Sequence, residues 1–201
     1  MAPSDDRTTW IRHSYLLALG TSAFHLLQFV SGTALWRTTG SPVLLAFALD
    51  ALVSSMGSVL LAARMDHLHP QGRHRIVGYG YIAASLIAVY SGGIDLWFSR
   101  RPASSILGIA LAASSMLVIP IIGSYMKVLA VELRSRDLKS AAIFTFGNSY
   151  LSMVLLIALL LNAGMNYSWG DPLGALVMFP FMIQKGIQIL LEEGKQDYVD
   201  D

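Results

Sequence analysis

A chain of 201 residues with 54% hydrophobic and only 13% charged side chains is too apolar for an ordinary soluble domain of its length and reads as a membrane protein. It contains no Cys, which excludes disulfides, thiolate metal sites and a thiol nucleophile. A formal net charge of +1 offers no basic surface to a nucleic acid, so the lipid bilayer is the expected partner.

The N-terminal MAPSDDRTTWIRHSY is acidic and then mixed. It lacks the basic segment, short apolar core and small-residue cleavage site of a secretory signal, so the first apolar helix is expected to be retained. Crossing the hydrocarbon core takes about 20 mostly apolar residues. Six segments qualify, near residues 15–35, 42–63, 76–97, 106–131, 141–161 and 172–191, joined by short linkers into a single all-α transmembrane domain. The first holds His25 centrally, with Gln28 on nearly the same face. The second, LLAFALDALVSS at 44–55, sets Asp50 in an apolar run with Ser54 and Ser55 one turn on. The loop RMDHLHPQGRHR follows, whose His67, His69 and His74 could recruit metal or simply belong to a solvated basic loop.

In the third segment Asp95 lies near the outer end, within reach of Arg100 or Arg101. The fourth carries GIALAASS at 108–115, small residues that let helices approach closely in lipid, and Lys127 near its inner end. The fifth offers Asn148, Ser149, Tyr150 and Ser152 but no acid or His. Lys185 falls in the inner half of the sixth, and both it and Lys127 are expected to snorkel to the cytoplasmic interface.

Arg and Lys gather in alternate loops: Arg64, Arg73 and Arg75, then Arg134, Arg136 and Lys139, then Lys195, together with Arg7 and Arg12. By the positive-inside rule these loops and both termini are cytoplasmic. Trp10, Trp36, Trp97 and Trp169 fall near segment ends, where interfacial aromatic residues belong.

A central Asp in a membrane helix costs roughly 2.5–3.5 kcal/mol on insertion scales, so Asp50 is expected to face protein and to have a partner or a task. Neither Asp50 nor His25 can reach water by snorkelling. Two readings stay open: a His–Asp hydrogen bond across a helix interface, or a polar mid-membrane cavity around both, shared with Asn148.

Several stretches carry a family resemblance. They are LLAFALDALVSS, then SSILGIALAASSMLVIPIIGSYMK, LRSRDLKSAAIFTFGNSYLSMVLLIALLLNAG and SWGDPLGALVMFPFMIQKGIQIL, with Trp169, Asp171 and Pro172 opening the most distinctive piece. Over helices two to six the chain resembles the cation diffusion facilitator family, in particular its compact vesicular zinc-transporting offshoot. The resemblance implies a six-helix bundle of that type, cytoplasmic termini and a homodimer. It also implies a divalent ion held by acids and imidazoles at i and i+4 on the second and fifth helices. Asp50 matches the first acidic position, but Ser54 stands where the family shows a second acid, and the aligned fifth-helix positions are Phe144 and Asn148. Zinc usually needs three or four strong ligands, so Asp50 is expected to hold a divalent cation only weakly, and no cofactor is expected. Only the short tail EEGKQDYVDD follows the last helix, so the family's soluble C-terminal domain is not expected.

Three functions follow. The leading expectation, which the resemblance favours, is a transporter with altered or lost zinc selectivity, in which Asp50 and His25 bind another small ion or carry a proton. The lost metal ligands favour the other two, of which the first is a membrane-embedded enzyme, with Asp50 and His25 as an acid/base pair and Ser54, Asn148, Ser149 and Tyr150 contacting a small molecule. Its chemistry would be free of metal and thiol, for example nitrite-dependent N–N bond formation between a small anion and an amine. The third is a non-catalytic membrane scaffold.

Overall fold

The computed structural model describes residues 4–65, 73–165 and 169–197, and these form six helices. They are α1 (Ser4–Thr39), α2 (Pro42–Met65), α3 (Arg73–Trp97), α4 (Ile106–Glu132), α5 (Arg136–Met165) and α6 (Gly170–Asp197), with no strand among the described residues. All six are long and apolar enough to cross a membrane, which makes the chain an integral membrane protein. The expected starts at Pro42 and Ile106 coincide with the helices found. So does the expected end at Trp97; at the other boundaries the helices overrun the apolar segments, because polar residues such as Arg12 and Asp137 continue the backbone pattern beyond the apolar stretch. The loop histidines His67 and His69 lie outside the described residues.

Local chemistry sets the turns. Gly40 leaves α1 with φ +70, the left-handed conformation that costs Gly nothing, and its N–H closes on Trp36 O at 2.8 Å. Pro42 then opens α2, where a missing N–H is harmless. Ser105 caps α4 by accepting from Gly108 N at 2.9 Å.

Pairwise, α1 packs chiefly on α2, α3 on α6 and α4 on α5, while α2 also touches α3, α5 and α6 and is the central helix. Lipid-facing and protein-facing surfaces are equally apolar, so shape rather than hydrophobicity decides the packing. Along the α3–α6 seam Gly78 faces Gly186, where an added Cβ on Gly186 would lie 2.8 Å from Gly78 O. In GIALAASS, Gly108, Ala112 and Ser115 are buried at helical spacing, as the close-packing reading anticipates.

One carboxylate sets the register of α2 against α6. Asp171, in the first turn of α6, accepts from Ser41 Oγ at 2.8 Å and from Val43 N at 3.2 Å through Oδ1. It satisfies an orphan donor at the start of α2 and brings the two helix N-termini level, so α2 and α6 run side by side in the same direction. The Asp-Pro of the distinctive sixth-helix motif therefore has a structural use.

If all six helices cross, residues 64–75 and the end of α6 lie on the same face of the membrane. Labelling or reporter fusions after Lys195 and within residues 64–75 should therefore report the same side, the cytoplasmic one by the Arg and Lys asymmetry. Opposite sides for the two positions would mean that one helix does not cross.

Candidate functional site

Asp50 lies about 10 Å along α2 from Val43, and Lys185 about 21 Å along α6 from Asp171, at 1.5 Å per residue. Helical side chains lean toward the N-terminus of their helix, so the lysine stem reaches back along α6 and covers much of that offset. Its Nζ donates to Asp50 Oδ1 at 3.0 Å. Both residues are buried, Asp50 being 2% and Lys185 6% exposed. The expectation that Lys185 snorkels is thus corrected. The end of α6 nearer to it is the C-terminal one, opposite to the lean of the side chain, and the carboxylate holds the ammonium inside. Lys127 is exposed, as a snorkelling lysine should be.

Three further helix positions complete the cluster. Lys185 Nζ also donates to Asn148 Oδ1 on α5. Asn148 Nδ2 donates to Ser54 Oγ on α2 at 2.9 Å, and Ser54 Oγ shares a hydrogen bond of 2.8 Å with Tyr81 OH on α3. The ammonium lies 5.2 Å from the centroid of the Tyr81 ring. Ser54 follows Asp50 at i+4, so one face of α2 supplies both, and Asn148, Ser54, Tyr81 and Lys185 are all buried. Tyr81 and Lys185 were not among the expected site residues. The signal available for Tyr81 was a polar-tipped aromatic in the interior of a span, and for Lys185 a charge on the face of α6 that also carries buried Met178 and Met182.

His25 belongs to a neighbouring network. Its Nδ1 is 2.8 Å from Gln28 Oε1, Gln28 Nε2 donates to Ser115 Oγ on α4 at 2.7 Å, and Ser115 Oγ donates to Leu111 O at 2.7 Å. Followed back from the carbonyl, this direction leaves Gln28 Oε1 as an acceptor, so Nδ1 carries the hydrogen and Nε2 is the titrating nitrogen. Asp50 bonds Lys185 and His25 bonds Gln28; no hydrogen bond joins Asp50 to His25 among the described residues. Ser22 and Ser55 hydroxyls, 2.9 Å apart, tie α1 to α2 beside them. Of the remaining expected residues, Tyr150 stacks on Phe181 with centroids 4.2 Å apart, and Ser149 Oγ is buried with no partner among the described residues. Asp95 pairs with Arg100 at 3.7 Å, near the surface.

Chemically the cluster is a neutral ion pair inside a polar collar. Its donor set does not suit a divalent cation, because one carboxylate is already paired with an ammonium. Among the described residues no three His, Cys, Asp or Glu side chains come together as ligands. No family model and no curated protein matches the chain.

Two consequences are measurable. Removing either charge alone leaves the other buried without its partner and should lower stability by about 3–5 kcal/mol, whereas the double variant Asp50→Leu/Lys185→Met should recover most or all of that loss. A double-mutant cycle on unfolding in detergent reads the coupling, and additive losses would show that the pair is not formed. For metal, the unmodified protein should bind Zn²⁺ weakly at best. Ser54→Asp with Asn148→Asp should raise the affinity only when Lys185→Ala is added, because the ammonium otherwise competes for Asp50. Equal zinc binding with and without Lys185 would contradict this.

Proposed function

We propose that this chain is a membrane-embedded enzyme that performs metal-free acid–base chemistry on a small molecule, with Asp50 as the proton-exchanging group and Lys185 as its charge partner. The observation that carries the reading is the buried Asp50–Lys185 pair, joined to Asn148, Ser54 and Tyr81 in one hydrogen-bonded chain contributed by four helices. A carboxylate, an amine, an amide and two hydroxyls within bonding distance of one another are the parts from which proton transfer and substrate orientation are built. A purely structural role accounts for them less well, since an apolar pair of the same volume would pack α2 on α6 at no loss of stability.

A second reading is proton-linked transport, and one feature favours it. The pair bridges the central helix α2 and α6, so a single proton on Asp50 would release a contact between two spans. On this reading, likeness to the cation diffusion facilitators is a shared bundle in which a tethered ammonium has taken the place of the carried cation.

One experiment separates the two. Cells lacking the gene are complemented with the native chain, Asp50→Asn or Lys185→Met, and small molecules are profiled in cells and medium. An enzyme gives a compound of altered mass that only the native chain produces; a transporter redistributes an unchanged compound between cells and medium. Compared at matched amounts in the membrane, since each variant is also destabilised, both should lose the effect by tenfold or more. Full function of Asp50→Asn would remove the carboxylate from either mechanism.

A further inference from the structure

The carboxamide side chains within the six spans are Gln28, Asn148, Asn162, Gln184 and Gln188. The first three are buried and bonded: Gln28 donates to Ser115 Oγ at 2.7 Å, Asn148 to Ser54 Oγ at 2.9 Å and Asn162 to Pro102 O at 3.2 Å. Gln184 and Gln188 are exposed on α6, and neither side chain has a hydrogen bond among the described residues. Depth separates these two. Gln188 is about 5 Å along α6 from the end of the span at Leu191, close to headgroup water, whereas Gln184 is about 10 Å from that end and about 20 Å from Asp171, at 1.5 Å per residue. A helical side chain leans toward the N-terminus of its helix, which carries the Gln184 amide further into the hydrocarbon. Lipid tails offer neither donor nor acceptor, so an amide left facing them is costly.

The residues around Gln184 have a pattern of their own. Leu173, Val177, Pro180, Gln184, Ile187 and Leu191 are all exposed and follow one another at alternating steps of four and three residues. That spacing keeps one side of a helix against a parallel partner, and a single polar residue in such an apolar seam fixes the register and the number of copies. The other side of α6 is already occupied by α3, α5 and α2, and Phe181, stacked on Tyr150 of α5, bounds the seam on one flank. The outward side therefore has an apolar length for packing and one amide that needs a mate.

We propose that the outward face of α6 is the contact between two copies of this chain, held in register inside the membrane by hydrogen bonds between their two Gln184 carboxamides. A second copy inserted in the same direction is related to the first by a two-fold axis along the membrane normal, which sets the two α6 helices parallel and brings equal depths together. A carboxamide is donor and acceptor at once, so two of them satisfy each other without a third group. Another copy of the chain is the partner that always presents this group at this depth. Lipid presents none. The contact leaves the Asp50–Lys185 pair intact, because Lys185 turns inward from the next position of the same helix.

The chain has no Cys, so a single introduced Cys can form a disulfide only between copies, and only where the two Cα atoms come within about 7 Å. Full-length Val177→Cys and Ile187→Cys, with Leu27→Cys on α1 and Leu117→Cys on α4 as exposed controls, are reconstituted in phosphatidylcholine vesicles and oxidised. The expected result is a covalent dimer from the two α6 variants and none from the controls. Energy transfer between labelled copies diluted in the same vesicles then reads the amide. Gln184→Leu, an apolar replacement at an exposed position that leaves the single chain folded, should weaken association by roughly 3- to 30-fold, and Gln184→Asn should restore part of it. The proposal is overturned by absence of the α6 disulfides, by equal or stronger cross-linking at Leu27 or Leu117, or by association of Gln184→Leu as tight as that of the native chain. A lipid or an unlike protein covering this face would give the first of these results. The cross-linking map retains Gln184, so it decides the interface even where the Gln184 variants do not accumulate.

Discussion

The contact between Lys185 Nζ and Asp50 Oδ1 constrains everything around it. Neither charge could remain in an apolar bundle alone, so the two helices that bear them must hold a fixed register, and the neighbouring helices must supply the hydrogen bonds that the pair leaves unmet. Asn148 from α5 meets the ammonium and passes the chain to Ser54, and Tyr81 from α3 closes it. The requirement therefore passes from a pair of residues to four of the six helices, with α2 at the centre because it supplies both Asp50 and Ser54.

Register and distance are secured elsewhere. Asp171 joins the starts of α2 and α6 through Ser41 and Val43, so the offset between Asp50 and Lys185 is set by a contact at the far end of the same two helices. Gly78 and Gly186 let α3 approach α6 next to Lys185, since any side chain at Gly186 would meet backbone. The His25, Gln28 and Ser115 chain holds α1 to α4 by side-chain hydrogen bonds, which are expensive to break where no water can replace them.

Helix number, the starts of α2 and α4, and the problem posed by Asp50 were legible in the sequence, because apolar length, Pro and Ser at helix starts and an isolated carboxylate are local signals. The same holds for Ser54, which its spacing of four from Asp50 places on the same face of α2, whereas Asn148, on α5, was singled out through the family resemblance. Lys185 was misread for a definite reason. Its distance to the nearer helix end was counted, but the buried partner on α2 was not: its side chain leans inward and meets Asp50, whereas Lys127, closer to the end of α4, lies on an exposed face. The partner of His25 was overlooked in a similar way: Gln28, three residues on and on nearly the same face, offered a nearer acceptor than any carboxylate on another helix. A polar-tipped aromatic within a span was the one local signal for Tyr81, and it did not suffice, since nothing in GYGYIAAS distinguishes Tyr81, buried, from Tyr79, exposed, until α3 is placed against α2.

What the pair is good for follows from what it is poor at. A buried ion pair contributes little net stability, because desolvation of both charges offsets most of their attraction, and apolar residues of equal volume would hold α2 and α6 at least as well. Its distinctive property is sensitivity: one proton converts a bound carboxylate and ammonium into a neutral acid beside an unpaired cation. In water that change is trivial. Among apolar helices it leaves a charge that must be compensated at once, by loss of the lysine's proton, by movement of the helix or by arrival of a counter-ion.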